Sequence, residues 1–92
     1  MKPAAAAEVG RQALIWLAGR PEAMAAFLDA SGADPAELRA RAQDPEFLGF
    51  VLDFLLQSDA FVLDFAAEAG VPPETPARAR AALPGGAVPD WS

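Results

Sequence analysis

Acid–base or metal chemistry in this chain would have to come from carboxylates. There is no His and no Cys, so the commonest general base, the commonest metal ligand and every thiolate site are missing. The best-placed acids are Asp53 and Asp64. Each is the single charged residue of an identical stretch, "FVLDF", at Phe50–Phe54 and again at Phe61–Phe65. A working carboxylate pair must converge in one pocket with at least one displaced pKa. Both aspartates instead fall on the polar side of their own apolar-periodic segments, beside Glu46 and Gln57 for the first and Glu68 for the second. Without His or Cys a metal site would be all-oxygen, and no loop has Ca²⁺-binding spacing. The hydroxyls are few (Ser31, Ser58, Thr75, Ser92), and no base is present to activate one. "PGG" at Pro84–Gly86 lacks the Lys and the helix that a phosphate loop needs. The expectation is therefore a non-enzymatic protein with no cofactor and no metal.

The cations offer a second kind of chemistry. Arg39 and Arg41 lie in one short segment, Arg78 and Arg80 in another. "FAAEAGVPPETPARAR" has a small residue, Ala66, four positions before a turn glycine, Gly70. Val71 and then arginines follow, which is the outline of a DNA-reading helix-turn-helix. Pro76 stands where that motif wants a mid-helix apolar residue. A net charge of −6 also repels phosphate backbones unless the arginines cluster. Nucleic-acid binding through the third and sixth helices is thus the alternative reading. The first is a protein–protein interaction or adaptor module, with a homo-oligomer as one form of it. Its candidate residues are the same four arginines, Trp91 near the C-terminus, and the apolar residues Ile15, Met24, Leu48 and Leu63, which exceed what one small core encloses.

The elements that must position these residues are well punctuated. At 92 residues, 53% of them hydrophobic, the chain makes one domain that needs a dense core. Helices are expected at Ala5–Ala18, Pro21–Ala30, Pro35–Ala42, Pro45–Gln57, Asp59–Ala69 and Pro73–Ala82, and no strand is expected. Asp34, Asp44 and Ser58 are N-caps, the first with a capping box to Glu37, and Pro35 and Pro45 take first helical positions. Gly19, Gly32 and Gly70 are stops in the left-handed region. Thr75 capping Pro76 is an alternative start for the sixth helix. Val9, Ala13, Trp16 and Leu17 share a face of the first helix, Met24, Phe27 and Leu28 of the second, and Phe61, Val62, Phe65 and Ala69 of the fifth. The fourth is apolar on two faces, Phe47/Phe50/Val51/Phe54/Leu55 and Leu48/Leu52/Leu56. Only the stripe Glu46, Gly49, Asp53, Gln57 is left for water, so this helix belongs at the centre.

The fold class expected is all-α: a compact orthogonal bundle of five to six short helices around a buried helix near 45–57. One domain covers 1–83, with a flexible tail at 84–92. No apolar run reaches the roughly eighteen residues of a membrane span. The Lys and Ala-rich start faintly resembles a signal peptide. Glu8, Gly10, Arg11 and Gln12 interrupt it, so it reads as an amphipathic helix in a cytoplasmic protein.

A weak repeat joins "FLDASGADPAELRARA" to "FAAEAGVPPETPARARA". It reads as two uses of one connector, a helix, a glycine stop and a short arginine-bearing helix. Together with "ALIWL" (Ala13–Leu17), the Phe27–Leu38 connector, Pro45–Leu56 and Leu83–Pro84, this order of segments resembles a family of short bacterial proteins catalogued only as a domain of unknown function. The resemblance covers nearly the whole chain. It implies a small helical domain and no activity, and Pro76 departs from its pattern.

Overall fold

The computed structural model describes residues 1–84. Its elements are α1 (Pro3–Ala18), α2 (Pro21–Ser31), a 3₁₀ turn (Pro35–Glu37) running into α3 (Leu38–Arg41), α4 (Pro45–Leu56), α5 (Asp59–Ala69) and α6 (Thr75–Ala81). There is no strand among the described residues, and the class is all-α as expected.

The start signals act as local chemistry dictates. The Asp34 carboxylate accepts from Ala36 N–H at 3.0 Å, and Glu37 reaches back to the Asp34 N–H at 3.5 Å. The Asp44 carboxylate accepts from Glu46 N–H at 3.0 Å, and Ser58 Oγ from Phe61 N–H at 3.2 Å. Each satisfies a donor that the first turn would leave orphaned. Gly32 (φ 70°) and Gly70 (φ 71°) close α2 and α5 in the left-handed region, which a side chain would strain. Gly19 differs from expectation. At φ −87° it ends α1 in ordinary backbone, its N–H shared between the Ile15 and Trp16 carbonyls.

α1 starts two residues earlier than expected, at Pro3, and α2 and α4 end within one residue of their expected bounds; two further helices depart for reasons visible in their residues. The third begins as a 3₁₀ turn, because four further residues with one large apolar side chain cannot sustain a longer α-helix. The sixth starts at Thr75 rather than Pro73. Started at Pro73, it would put Pro76 where the first intrahelical N–H is needed. Started at Thr75, it puts Pro76 in the first turn, where no N–H is missed.

The core is built on two helices rather than one. α4 is buried at Phe47, Leu48, Gly49, Val51, Leu52 and Leu55, and α1 at Ala6, Val9, Gly10, Ala13, Leu14, Trp16 and Leu17. The two helices pack on each other, and α6 packs against both. Their backbones approach so closely at Gly10 that a Cβ there would lie 2.9 Å from Leu48 Cβ and 3.4 Å from the Leu48 carbonyl oxygen. Leu48, expected as surplus, is fully buried for that reason. An aromatic chain ties in the remaining helices. Phe27 of α2 meets Phe47 edge-on at 5.8 Å and Phe54 at 5.4 Å, and Phe54 continues to Phe61 at 6.0 Å. Phe61 and Phe65 of α5 then meet Trp16 of α1 edge-on at 5.5 and 6.3 Å. Such pairs add about 0.5–1.5 kcal/mol each beyond their buried area. In α5 the core-facing pair is Phe65 with Ala66, while Ala69, expected inward, is exposed.

Candidate functional site

The two aspartates do not form a pair. Asp53 is taken up by Arg80 of α6, which grips it with both sides of its fork: Nε to Oδ1 at 2.6 Å and Nη2 to Oδ2 at 3.0 Å. Arg80 Nη1 also donates to the Pro84 carbonyl at 3.0 Å. The guanidinium lies against Gly49, where a Cβ would fall 2.6 Å from Nη1. The stripe of α4 left for water is therefore covered in its middle, and Gly49 is buried beneath the arginine. Asp64 is exposed and makes no ion pair among the described residues. No group of three or more acids among the described residues could hold a metal ion.

The four candidate arginines occupy four settings. Arg80 is the clasp just described. Arg41 sits over the Phe47 ring, 4.6 Å from its centroid, a cation–π contact. Arg39 and Arg78 are exposed and form no salt bridge among the described residues. The two short helices that carry them are not side by side. α6 packs on α1 and α4, whereas the extensive contacts of α3 are with its own 3₁₀ turn. α5 and α6, the two helices of the DNA-reading outline, likewise make no extensive contact with each other. Trp91 lies outside the described residues.

The surface that sequence reasoning only touched is the outer side of α1. Ile15 is 71% exposed, the most exposed large hydrophobic residue described. It stands between two grooves. One, about 270 Å³, runs between α1 and α5 and is lined by Gln12, Ile15, Trp16, Phe65, Glu68 and Ala69. The other, about 340 Å³, runs from α1 to α2 and α3 and is lined by Leu14, Ile15, Ala18, Met24, Leu38, Arg39 and Ala42. Met24 and Leu38 are half-buried there.

Trp16 forms the wall of the first groove and is itself held from three sides. Besides Phe61 and Phe65, the Arg20 guanidinium covers its ring at 4.3 Å and is anchored by an ion pair to Glu68. Its indole N–H has no hydrogen-bond partner among the described residues. Helical spacing does not announce this stacking, because Arg20 lies beyond the end of α1 in extended backbone. Nothing local announces Glu68, 48 residues further on.

The profile of a family described as "Protein of unknown function (DUF3572)" matches residues 3–86. The chain belongs to this family. The match spans every helix of the fold, so the DUF3572 domain is the six-helix unit itself. No curated protein and no solved structure shows significant similarity to the chain. No helix among the described residues is long and apolar enough to cross a membrane.

Proposed function

We propose that this DUF3572 protein is a cytoplasmic, non-catalytic docking module whose partner is a protein, and that the partner binds on the outer face of α1. The observation that carries the reading is Ile15. A branched aliphatic side chain, 71% exposed, stands between two grooves lined mostly by apolar side chains, in a fold that buries its other large α1 residues. Burial of such a side chain contributes about 2 kcal/mol, and here that gain is left unused within the chain. The grooves on either side suit the side chains of a helix or loop laid across α1, with Ile15 as the anchor at the centre. The lack of His, Cys and converging carboxylates supports the non-catalytic part of the reading.

Affinity capture from a native cytosolic extract, read by mass spectrometry, tests it with the wild-type chain and Ile15→Asp side by side. Ile15→Asp leaves the core untouched and should keep the thermal midpoint. The expected result is a protein retained by the wild type and lost by the variant. A set of retained proteins that Ile15→Asp does not change contradicts the reading.

A further inference from the structure

From the charges at the edges of the α1 face we infer that its occupant is a second copy of this chain, in a two-fold dimer with the α1 helices running parallel. This rests on the reading of the α1 face as a docking surface. The face has three parts in a row. On one side is the edge of α5, with Asp64 and Glu68 one helical turn apart. In the middle is the Ile15 ridge, with a groove on each flank. On the other side is α3, whose Arg39 borders the second groove. Asp64 and Arg39 are exposed and have no salt-bridge partner among the described residues. Glu68 is 57% exposed at its side chain even with Arg20 bound to it.

One edge is therefore acidic and the other basic, with an apolar ridge and grooves between. A surface that carries both signs, and both a knob and a hollow, can be complementary to itself. A two-fold axis parallel to α1 brings the α5 edge of each copy against the α3 edge of the other. Arg39 then meets the Asp64/Glu68 pair twice per dimer, and the two Ile15 side chains meet across the axis, between the flanking grooves. A two-fold axis lying across α1 would set acid against acid and Arg39 against Arg39. The net charge of −6 opposes self-association as a whole. Screening limits that repulsion to about 8–10 Å at physiological salt, while the edges meet at contact distance.

Sedimentation equilibrium of the full chain across the micromolar range tests this, with three variants. Arg39→Glu reverses the basic edge, Asp64→Lys with Glu68→Lys reverses the acidic edge, and Ile15→Asp removes the anchor. The wild type should dimerise, and more weakly as salt is added. Each edge reversal alone should raise the dissociation constant about tenfold or more. An equimolar mixture of the two reversed chains should recover dimers, because every edge pairing is then again of opposite sign. Arg39→Glu breaks no hydrogen bond or salt bridge among the described residues, and melting curves check that it is folded. A wild type that stays monomeric throughout, or edge reversals that dimerise as the wild type does, overturns the proposal. If the wild type is monomeric but still captures a protein in an Ile15-dependent way, the second copy is wrong and the docking face stands. If Ile15→Asp dimerises and captures as the wild type does, both fall.

Discussion

In the α4 copy of Phe-Val-Leu-Asp-Phe, Val51 and Leu52 have no exposed surface, and Asp53 is clasped by Arg80. In the α5 copy, Val62 is half-buried, Leu63 is 57% exposed and Asp64 has no salt bridge among the described residues. The phenylalanines exchange roles. Phe50, which opens the first copy, is exposed at its edge, whereas Phe65, which closes the second, is almost fully buried against Trp16. The same five residues thus meet two environments. α4 has α1, α2, α5 and α6 around it, so most of its surface is covered. α5 packs chiefly on α4 with a lesser contact to α1, so half of it faces water. Burial is decided by the neighbours of a helix, and an identical stretch carries no instruction about which side will be covered.

Substitutions in the two copies measure these environments. The largest effect expected is at the phenylalanines. Phe65→Ala should cost about 3–5 kcal/mol in urea unfolding, as loss of a buried ring does. Phe50→Ala removes a ring that is 36% exposed and touches Phe27, and should cost about 1–2 kcal/mol. Equal costs would mean that these two phenylalanines are equally enclosed. The aspartates should differ by less. Asp53→Asn weakens a two-pronged but half-exposed ion pair, and should cost about 1 kcal/mol. Asp64→Asn should stay within about 0.5 kcal/mol of the wild type. If Arg80 acts through Asp53, then Arg80→Ala and Asp53→Asn together should cost less than the sum of the two. An additive pair would leave Arg80 holding α6 by its Pro84 contact and its packing alone.

Much of the fold was legible because its signals are local. Asp34, Asp44 and Ser58 cap within three residues of themselves, and Gly32 and Gly70 end helices whose apolar faces stop beside them. The double apolar face of α4 and the Val9–Ala13–Trp16–Leu17 face of α1 follow from helical periodicity. What periodicity cannot supply is which element arrives to cover a face. The Gly49–Asp53 stripe looked wet because Arg80, 27 residues from Asp53, closes it from another helix. Leu48 looked surplus because the close approach at Gly10 depends on two helices at once. Pro76 was visible as a disturbance, and the helix answered by starting two residues later. At the candidate surface, the exposed positions of Ile15 and Leu63 were within reach of the pattern. The grooves beside Ile15 were not, because residues of α2, α3 and α5 build them.

The contrast between an enclosed α4 and a half-exposed α5 is tested most directly by one pair of variants unfolded in urea, Leu52→Ala and Leu63→Ala. They delete the same atoms from the same position of the same five-residue stretch. Leu52→Ala should lower stability by about 2–5 kcal/mol, and Leu63→Ala by no more than about 0.5 kcal/mol. Two losses of equal size would contradict the account, since they would place both leucines in equivalent packing.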